Sequence, residues 1–248
     1  MDKRKIGIFD SGIGGLTVLD DLVSFFPNED FLYLADTYNF PYGIKTDQEI
    51  EEIVRKNIDY LIKEGVKLIV IACNTASSHS YGILKTVPII RIIEPTIQYA
   101  NKAQGNMLVI ATNSTIDTGV YKNIDNKQIF FEKCSEFVEI VENGLSNTAM
   151  AYEVVGEKLE KYIGKVDNIV LGCTHFGLLE KVIRDIFKKI NIIDSAKCLK
   201  ESVAHQLQEI DAFNDLGGRI DLVATKDVSK LNIAWFEHKI SAIKEIKF

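Results

Sequence analysis

The chain has 248 residues, of which 46% are hydrophobic and 26% charged, a composition that suits one or two globular domains with a substantial core. Its net charge of −6, with lysines scattered and no basic stripe interleaved with aromatics, argues against a general nucleic-acid-binding surface. No apolar run approaches a membrane span, and the apolar stretch after Lys5 is too short for a secretory signal, so no membrane partner and a cytoplasmic location are expected.

Lys5 to Phe9 reads as a short strand, followed by Asp10-Ser11-Gly12-Ile13-Gly14-Gly15. A dinucleotide fingerprint would need glycine at position 17, where Thr17 stands, and no Gly-Lys-Ser/Thr follows for a P-loop. A tight strand-to-helix turn accounts for the glycines. It does not account for Asp10 at the strand end, a place for an acid or a binding group. Leu16 to Phe26 has helical apolar spacing and ends at Pro27. Phe31 to Leu34 is a second strand leading to Asp36-Thr37. In the loop Tyr38 to Lys45, Pro41-Tyr42-Gly43 by itself reads as a turn. Thr46 and Glu49 form a capping box for a helix with Ile50, Ile53, Val54, Ile58, Leu61 and Ile62 on one side, which Gly65 is placed to stop.

Leu68 to Ser77, LIVIACNTAS, is the stretch around which the chain is organised. Its unbroken apolar run reads as a strand buried on both faces of a parallel sheet, and the polar residues begin where such strands present ligand sites. A thiol at Cys73, ahead of a segment able to start a helix, is expected to feel the helix N-terminus, which favours thiolate. The helix is expected to run to about Leu84, with Pro88 to Glu94 the next strand. From Thr96 the pattern restarts: a helix to about Ala103, a strand Met107 to Ala111, a polar turn from Thr112 to Gly119, and a strand Gln128 to Glu132. Phe137 to Gly144 follows, then a helix from Ala149 to Tyr162. Asn168 to Leu178, NIVLGCTHFGL, repeats the earlier layout of apolar strand, small residue and cysteine. Helices from Leu178 to Lys189 and Ala196 to Ile210, strands Asn191 to Asp194 and Arg219 to Ala224, and a final helix ending near Ile240 complete the chain. Strands alternating with helices indicate an α/β fold with mostly parallel sheets. The first domain is expected to comprise residues 1-95 plus 208-248, carrying Asp10 and Cys73. The second is expected over 96-207, carrying Glu142, Cys173 and His175.

None of the four cysteines forms a Cys-x-x-Cys pair, which removes the zinc-ribbon and thioredoxin spacings. Cys134 and Cys198 read as buried, inert thiols. Asn74 and Thr75 beside Cys73 offer donors for an anion, though a lone site of this kind is better explained by a buried thiol and a polar cap. Cys173 with Thr174 and His175 changes the balance, because an imidazole two residues away can polarise the thiol. A Cys/His nucleophile for acyl transfer needs only one thiol, and a metal site needs more spaced ligands than these. Neither explains the duplication. Glu142, after an apolar set, reads by itself as an exposed acid.

Taken together, IGIFDSGIGGLTVL, PYGIKT, LIVIACNTAS, IIEPTI, VIATNSTI, FVEIVENG and LGCTHFGLLE resemble the glutamate racemase family in order and spacing. The resemblance implies two pseudo-symmetric α/β domains with the active site in the cleft between them, interconversion of L- and D-glutamate for peptidoglycan, no pyridoxal phosphate, no metal, and a homodimer. It implies Cys73 and Cys173 as the acid/base pair, with Asp10, Glu142 and His175 in support. It places substrate contacts on Asp10, Ser11, Tyr42, Gly43, Asn74, Thr75, Thr174 and His175. Aspartate racemase, an inactive two-domain binding or regulatory protein, and a thiol hydrolase using Cys173 and His175 are the competing readings. The chain departs from the family pattern at Gly177, Ser135, Ser114 and Tyr38-Asn39, none of which touches the two thiols.

Overall fold

The structure is a computed structural model that describes residues 1-125, 128-228, 236 and 238-247. Strand β1 (Ile6–Asp10) leads through the glycine turn into helix α1 (Leu16–Phe25), and β2 (Phe31–Ala35) follows. Helix α2 (Asp47–Lys63) opens on the expected capping box: the Thr46 side chain accepts from the Glu49 amide, and the Glu49 carboxylate accepts from the Thr46 amide. Gly65, at φ +76°, turns the chain out of the helix where a side chain would be strained. Strand β3 (Leu68–Ile71) is buried throughout.

Helix α3 (Asn74–Ser78) is much shorter than the sequence suggests. The serines after it bond the backbone themselves: Ser78 Oγ donates to the Thr75 carbonyl at 2.9 Å and Ser80 Oγ to the Ser77 carbonyl at 2.8 Å. Short hydroxyl side chains of this kind compete with helix propagation. Strand β4 (Ile89–Arg91) ends sooner than expected, because helix α4 (Ile93–Lys102) begins before Pro95 rather than after it. A proline in a first helical turn forfeits no hydrogen bond, since that amide would be unpaired anyway.

Strand β5 (Met107–Ala111) is followed by helix α5 (Asn113–Asp117), where a polar turn is expected. The Thr112 side chain accepts from the Thr115 amide and caps it. Then come β6 (Ile129–Lys133), α6 (Glu136–Glu142), α7 (Ala149–Leu159), β7 (Asn168–Gly172), α8 (Glu180–Phe187), β8 (Asn191–Asp194), α9 (Lys200–Glu209) and β9 (Ile220–Ala224). The expected final helix falls mostly outside the described residues. An edge strand, β10 (Ala242–Glu245), which the sequence pattern does not announce, pairs with β9.

Among the described residues the strands form a six-stranded sheet of order β10-β9-β2-β1-β3-β4 and a four-stranded sheet of order β6-β5-β7-β8, and every pairing is parallel. The duplication foreseen in the two cysteine strands is thus a duplication of topology. The order β2-β1-β3-β4 corresponds strand for strand to β6-β5-β7-β8, and β3 and β7 hold the same place. One apolar core runs between the sheets, joining Ile6, Val70 and Leu199 to Val109 and Val170. Among the described residues no helix is long and apolar enough to cross a membrane.

Candidate active site

A cavity of about 440 Å³ opens at the carboxyl ends of both sheets, where open α/β sheets place their ligands. From the first sheet and its loops, Ser11, Tyr42, Gly43, Cys73, Asn74 and Thr75 line it. From the second come Thr112, Ser135, Glu142, Cys173, Thr174 and His175. Both thiols predicted from the sequence therefore face one space, and both are almost fully buried. Cys134 and Cys198 lie elsewhere in the interior and do not line it.

Cys73 caps helix α3, with its sulfur accepting from the Ala76 amide at 3.4 Å and its thiol donating to Ser11 Oγ at 3.7 Å. The helix does not make a thiolate of it. Burial, and then the charge of Asp10, push the Cys73 thiol up to about 12, and the Ala76 amide and Ser11 hydroxyl offset only part of this. A five-residue helix supplies little dipole, and the desolvation of a buried sulfur outweighs one amide. The expectation of a helix-favoured thiolate at Cys73 is corrected on this point.

Cys173 stands just beyond β7, its sulfur 3.7 Å from His175 Nδ1. The other ring nitrogen, Nε2, lies 2.6 Å from Glu142 Oε1. Burial works against a charge on His175, yet its hydrogen bonds to Cys173 and Glu142, and the nearby Asp10, push it up to about 10. At neutral pH the ring therefore holds its proton. Glu142 is not the exposed acid that its local sequence suggests. Helix α6 turns it inward, and only a tertiary contact 33 positions along the chain gives it a partner.

Asp10 is fully buried beneath the cavity rather than on its lining. One carboxylate oxygen accepts from the Gly12 amide at 3.0 Å and the other from the Thr174 hydroxyl at 3.2 Å. Burial pushes its carboxyl up, while the His175 charge, the Gly12 and Gly15 amides and Thr174 pull the other way. The glycine turn now has a specific cause. A Cβ on Gly14 would stand 2.5 Å from His175 Nδ1, and one on Gly15 would stand 2.4 Å from Asp10 Cβ. The turn is bare so that the Thr174-His175 loop of the second sheet can close onto it.

Several residues of the site have no signal in the local sequence. Asp36 lies at the end of β2 and anchors the 38-45 loop. It accepts from Tyr42 at 2.6 Å, Thr225 at 2.8 Å and Asn57 at 3.1 Å, and Asn39 Nδ2 donates to both of its carboxylate oxygens at 3.0 Å. Thr75, Thr112 and Thr115 form a triangle of hydroxyls 2.9 to 3.2 Å apart across the two halves. Asn74 is held from the second half by Tyr121 and Ser195. Ser135 lines the cavity and accepts from the Asn113 amide at 2.9 Å. Among the described residues, no three His, Cys, Asp or Glu side chains come together in a way that could hold a metal ion.

A model of the family described as Asp/Glu/hydantoin racemase matches residues 22–203. A glutamate racemase of Aquifex aeolicus is 38% identical over 82% of this chain and 84% of its own length. The structure of a Thermus thermophilus glutamate racemase in complex with β-chloro-D-alanine superposes with a TM-score of 0.90 at 31% identity, covering 100% of this chain and 99% of that one. A Francisella tularensis glutamate racemase in complex with D-glutamate also gives a TM-score of 0.90, at 28% identity, covering 100% of this chain and 98% of the other.

Proposed function

The chain belongs to the Asp/Glu/hydantoin racemase family, and from that premise we propose that it interconverts L- and D-glutamate without a cofactor, using Cys73 and Cys173 as its two proton-transfer groups. The observation that carries this reading is the pair of thiols at corresponding strand ends lining one cavity. Racemisation removes the proton from one face of Cα and delivers another to the opposite face, so two groups on facing walls accomplish it without either having to move. Glutamate is favoured over aspartate by the relatives named above, which are glutamate racemases at 28 to 38% identity.

The surroundings of the two thiols support a role for each. Cys73 is kept as a thiol by burial and by Asp10, and so is ready to give a proton. On the other wall His175 Nδ1 lies 3.7 Å from the Cys173 sulfur, close enough for the imidazole to take part in that sulfur's proton exchange. From L-glutamate, the Cys173 thiolate takes the α-proton, the Cα–H electron pair remains on the substrate, and the Cys73 thiol protonates the other face. The reverse direction exchanges the roles. Ser11, Asn74, Thr75 and Thr174 hold the α-carboxylate, whose charge rises in the carbanion, and Tyr42 and Gly43 close the cavity over it. Asp10, His175 and Glu142 act on the thiols.

The same reading assigns residues 1-95 plus 208-248 to one domain and 96-207 to the other, with the cavity between them. It also makes the protein a cytoplasmic homodimer supplying D-glutamate for peptidoglycan. Incubation with L- or D-glutamate, and separately aspartate, in heavy water tests the activity. Solvent deuterium should appear at Cα of glutamate as optical rotation is lost. Failure of every amino acid tried to exchange its α-proton would overturn the reading, and exchange with aspartate alone would shift the substrate.

A further inference from the structure

Asn74 follows Cys73 directly, and its amide is gripped by two residues that do not line the cavity. Tyr121 donates its hydroxyl to Asn74 Oδ1 at 2.5 Å, and Asn74 Nδ2 donates to Ser195 Oγ at 3.2 Å. Both partners are buried and both come from beyond β5, whereas Asn74 opens helix α3, directly after the β3 strand end. Tyr121 also stands against the other thiol's strand. A Cβ on Gly172, the residue before Cys173, would lie 3.0 Å from Tyr121 Cε2, so the ring occupies the space that this glycine leaves. One side chain thus touches the strand end that carries Cys173 and grips the residue that follows Cys73.

The grip fixes the amide's chemistry. Both partners are hydroxyls able to donate or accept, but 2.5 Å to Tyr121 suits an O–H···O bond and is too short for an N–H donor, while 3.2 Å to Ser195 suits an N–H donor, so Oδ1 faces Tyr121 and the second Nδ2 hydrogen is left as a donor. A side-chain amide free to rotate would offer its oxygen as readily and repel a carboxylate. We propose that Tyr121, assisted by Ser195, is a positioning residue that holds Asn74 as a donor toward the carboxylate end of the substrate. This deepens the two-thiol racemase reading and rests on it.

Steady-state kinetics of Tyr121→Phe and Ser195→Ala, each also in an Asn74→Ala background, provide the test. The phenylalanine keeps the ring packed on Gly172 and removes only the hydroxyl. Tyr121→Phe should raise the KM for glutamate roughly tenfold, the scale of a weakened hydrogen bond to a charged group. It should lower kcat as well, because the carboxylate that Asn74 holds gains charge in the carbanion. In the Asn74→Ala background the same substitution should change KM no further, because the group it acts through is gone. Ser195→Ala should follow the same pattern with a smaller effect. An unchanged KM in Tyr121→Phe, or an effect that persists undiminished without the Asn74 side chain, overturns the proposal. A wild-type protein that racemises nothing overturns the underlying reading instead, so the two failures are distinguishable. Should Ser195→Ala fold poorly, the Tyr121→Phe and Asn74→Ala cycle decides alone.

Discussion

The Thr174 hydroxyl donates to the Asp10 carboxylate at 3.2 Å, tying the loop after β7 in one sheet to the end of β1 in the other. The bond is buried at both ends and holds the two halves of the site in register. Replacing Thr174 with Val removes the donor and leaves one Asp10 oxygen short of a partner. The expected cost is about 1–3 kcal/mol of unfolding free energy, that of an unsatisfied buried group. Turnover should fall with it, because Thr174 also lines the cavity. Urea unfolding followed alongside racemisation checks this, and an unchanged midpoint would show that the bond holds nothing.

The glycine turn can be tested from the opposite side, by adding atoms. Gly14→Ala places a methyl group against His175 Nδ1 and Thr174 Oγ1, at 2.5 and 2.6 Å. Either the loop carrying both residues shifts or the turn does. A loss of about 1–3 kcal/mol, usual for overpacking, should accompany a larger loss of activity. Gly65→Ala is the control, because nothing lies within 4 Å of its Cβ position. Its cost is confined to the positive φ, about 1 kcal/mol, and its activity should be that of the parent.

The two cavity thiols and the two remote ones should separate cleanly. Cys73→Ala and Cys173→Ala are each expected to abolish racemisation while leaving circular dichroism intact. Cys134→Ala and Cys198→Ala should retain turnover and lose only packing, about 1–2 kcal/mol for a small buried side chain. Full activity in Cys73→Ala would favour a one-thiol hydrolase built on Cys173 and His175.

The His175–Glu142 pair predicts a pH dependence with a definite sign. In the folded protein His175 is pushed up to about 10, above the ordinary imidazole value near 6.5. A raised cation contributes stability that is fully present below the ordinary value and is lost as pH rises through the folded one. The stability gap between the wild type and Glu142→Gln should therefore be widest below about pH 6.5 and close toward pH 10. Denaturant midpoints collected across that window would show it. A gap that widens with rising pH would contradict the assignment of the charge.

Asp36 predicts a loss of substrate binding through a residue outside the cavity. It gathers Tyr42, Asn57, Thr225 and Asn39 around one buried carboxylate. Asp36→Ala frees the loop that carries Tyr42 and Gly43. A stability loss of about 3 kcal/mol or more, typical of breaking a buried charged network, should come with a raised KM. Asp36→Asn, which keeps one acceptor, should fall between the variant and the parent in both measurements.

How far the sequence can be read follows from where each signal resides. β3 and β7 are legible because a strand buried on both faces must be apolar along its whole length, and no other short element imposes that pattern. The Thr46–Glu49 box is legible because both partners lie within one helical turn. Helix α5 is not, since Thr112, Asn113, Ser114 and Thr115 have the composition of a turn and only the Thr112 cap makes them a helix. Pro95 misleads in the same way, ending a strand on paper and opening a helix in space. Among the site residues, the two thiols declare themselves by repetition. Glu142, Asp36 and Tyr121 have partners 33, 189 and 47 positions away, and no local pattern carries that information.

The two walls of the cavity are matched in topology but not in chemistry: a sealed carboxylate stands behind one sulfur, and an imidazole with a partly buried acid behind the other. The mirror-image amino acids they would act on have the same free energy in water. The catalytic efficiencies in the two directions must therefore be equal, whatever the protein does. Unequal walls can only trade maximal velocity against saturation, making one enantiomer bind more tightly and turn over more slowly. The lopsided support is thus free to set which of the two the enzyme holds at a given concentration, without ever tilting the balance between them.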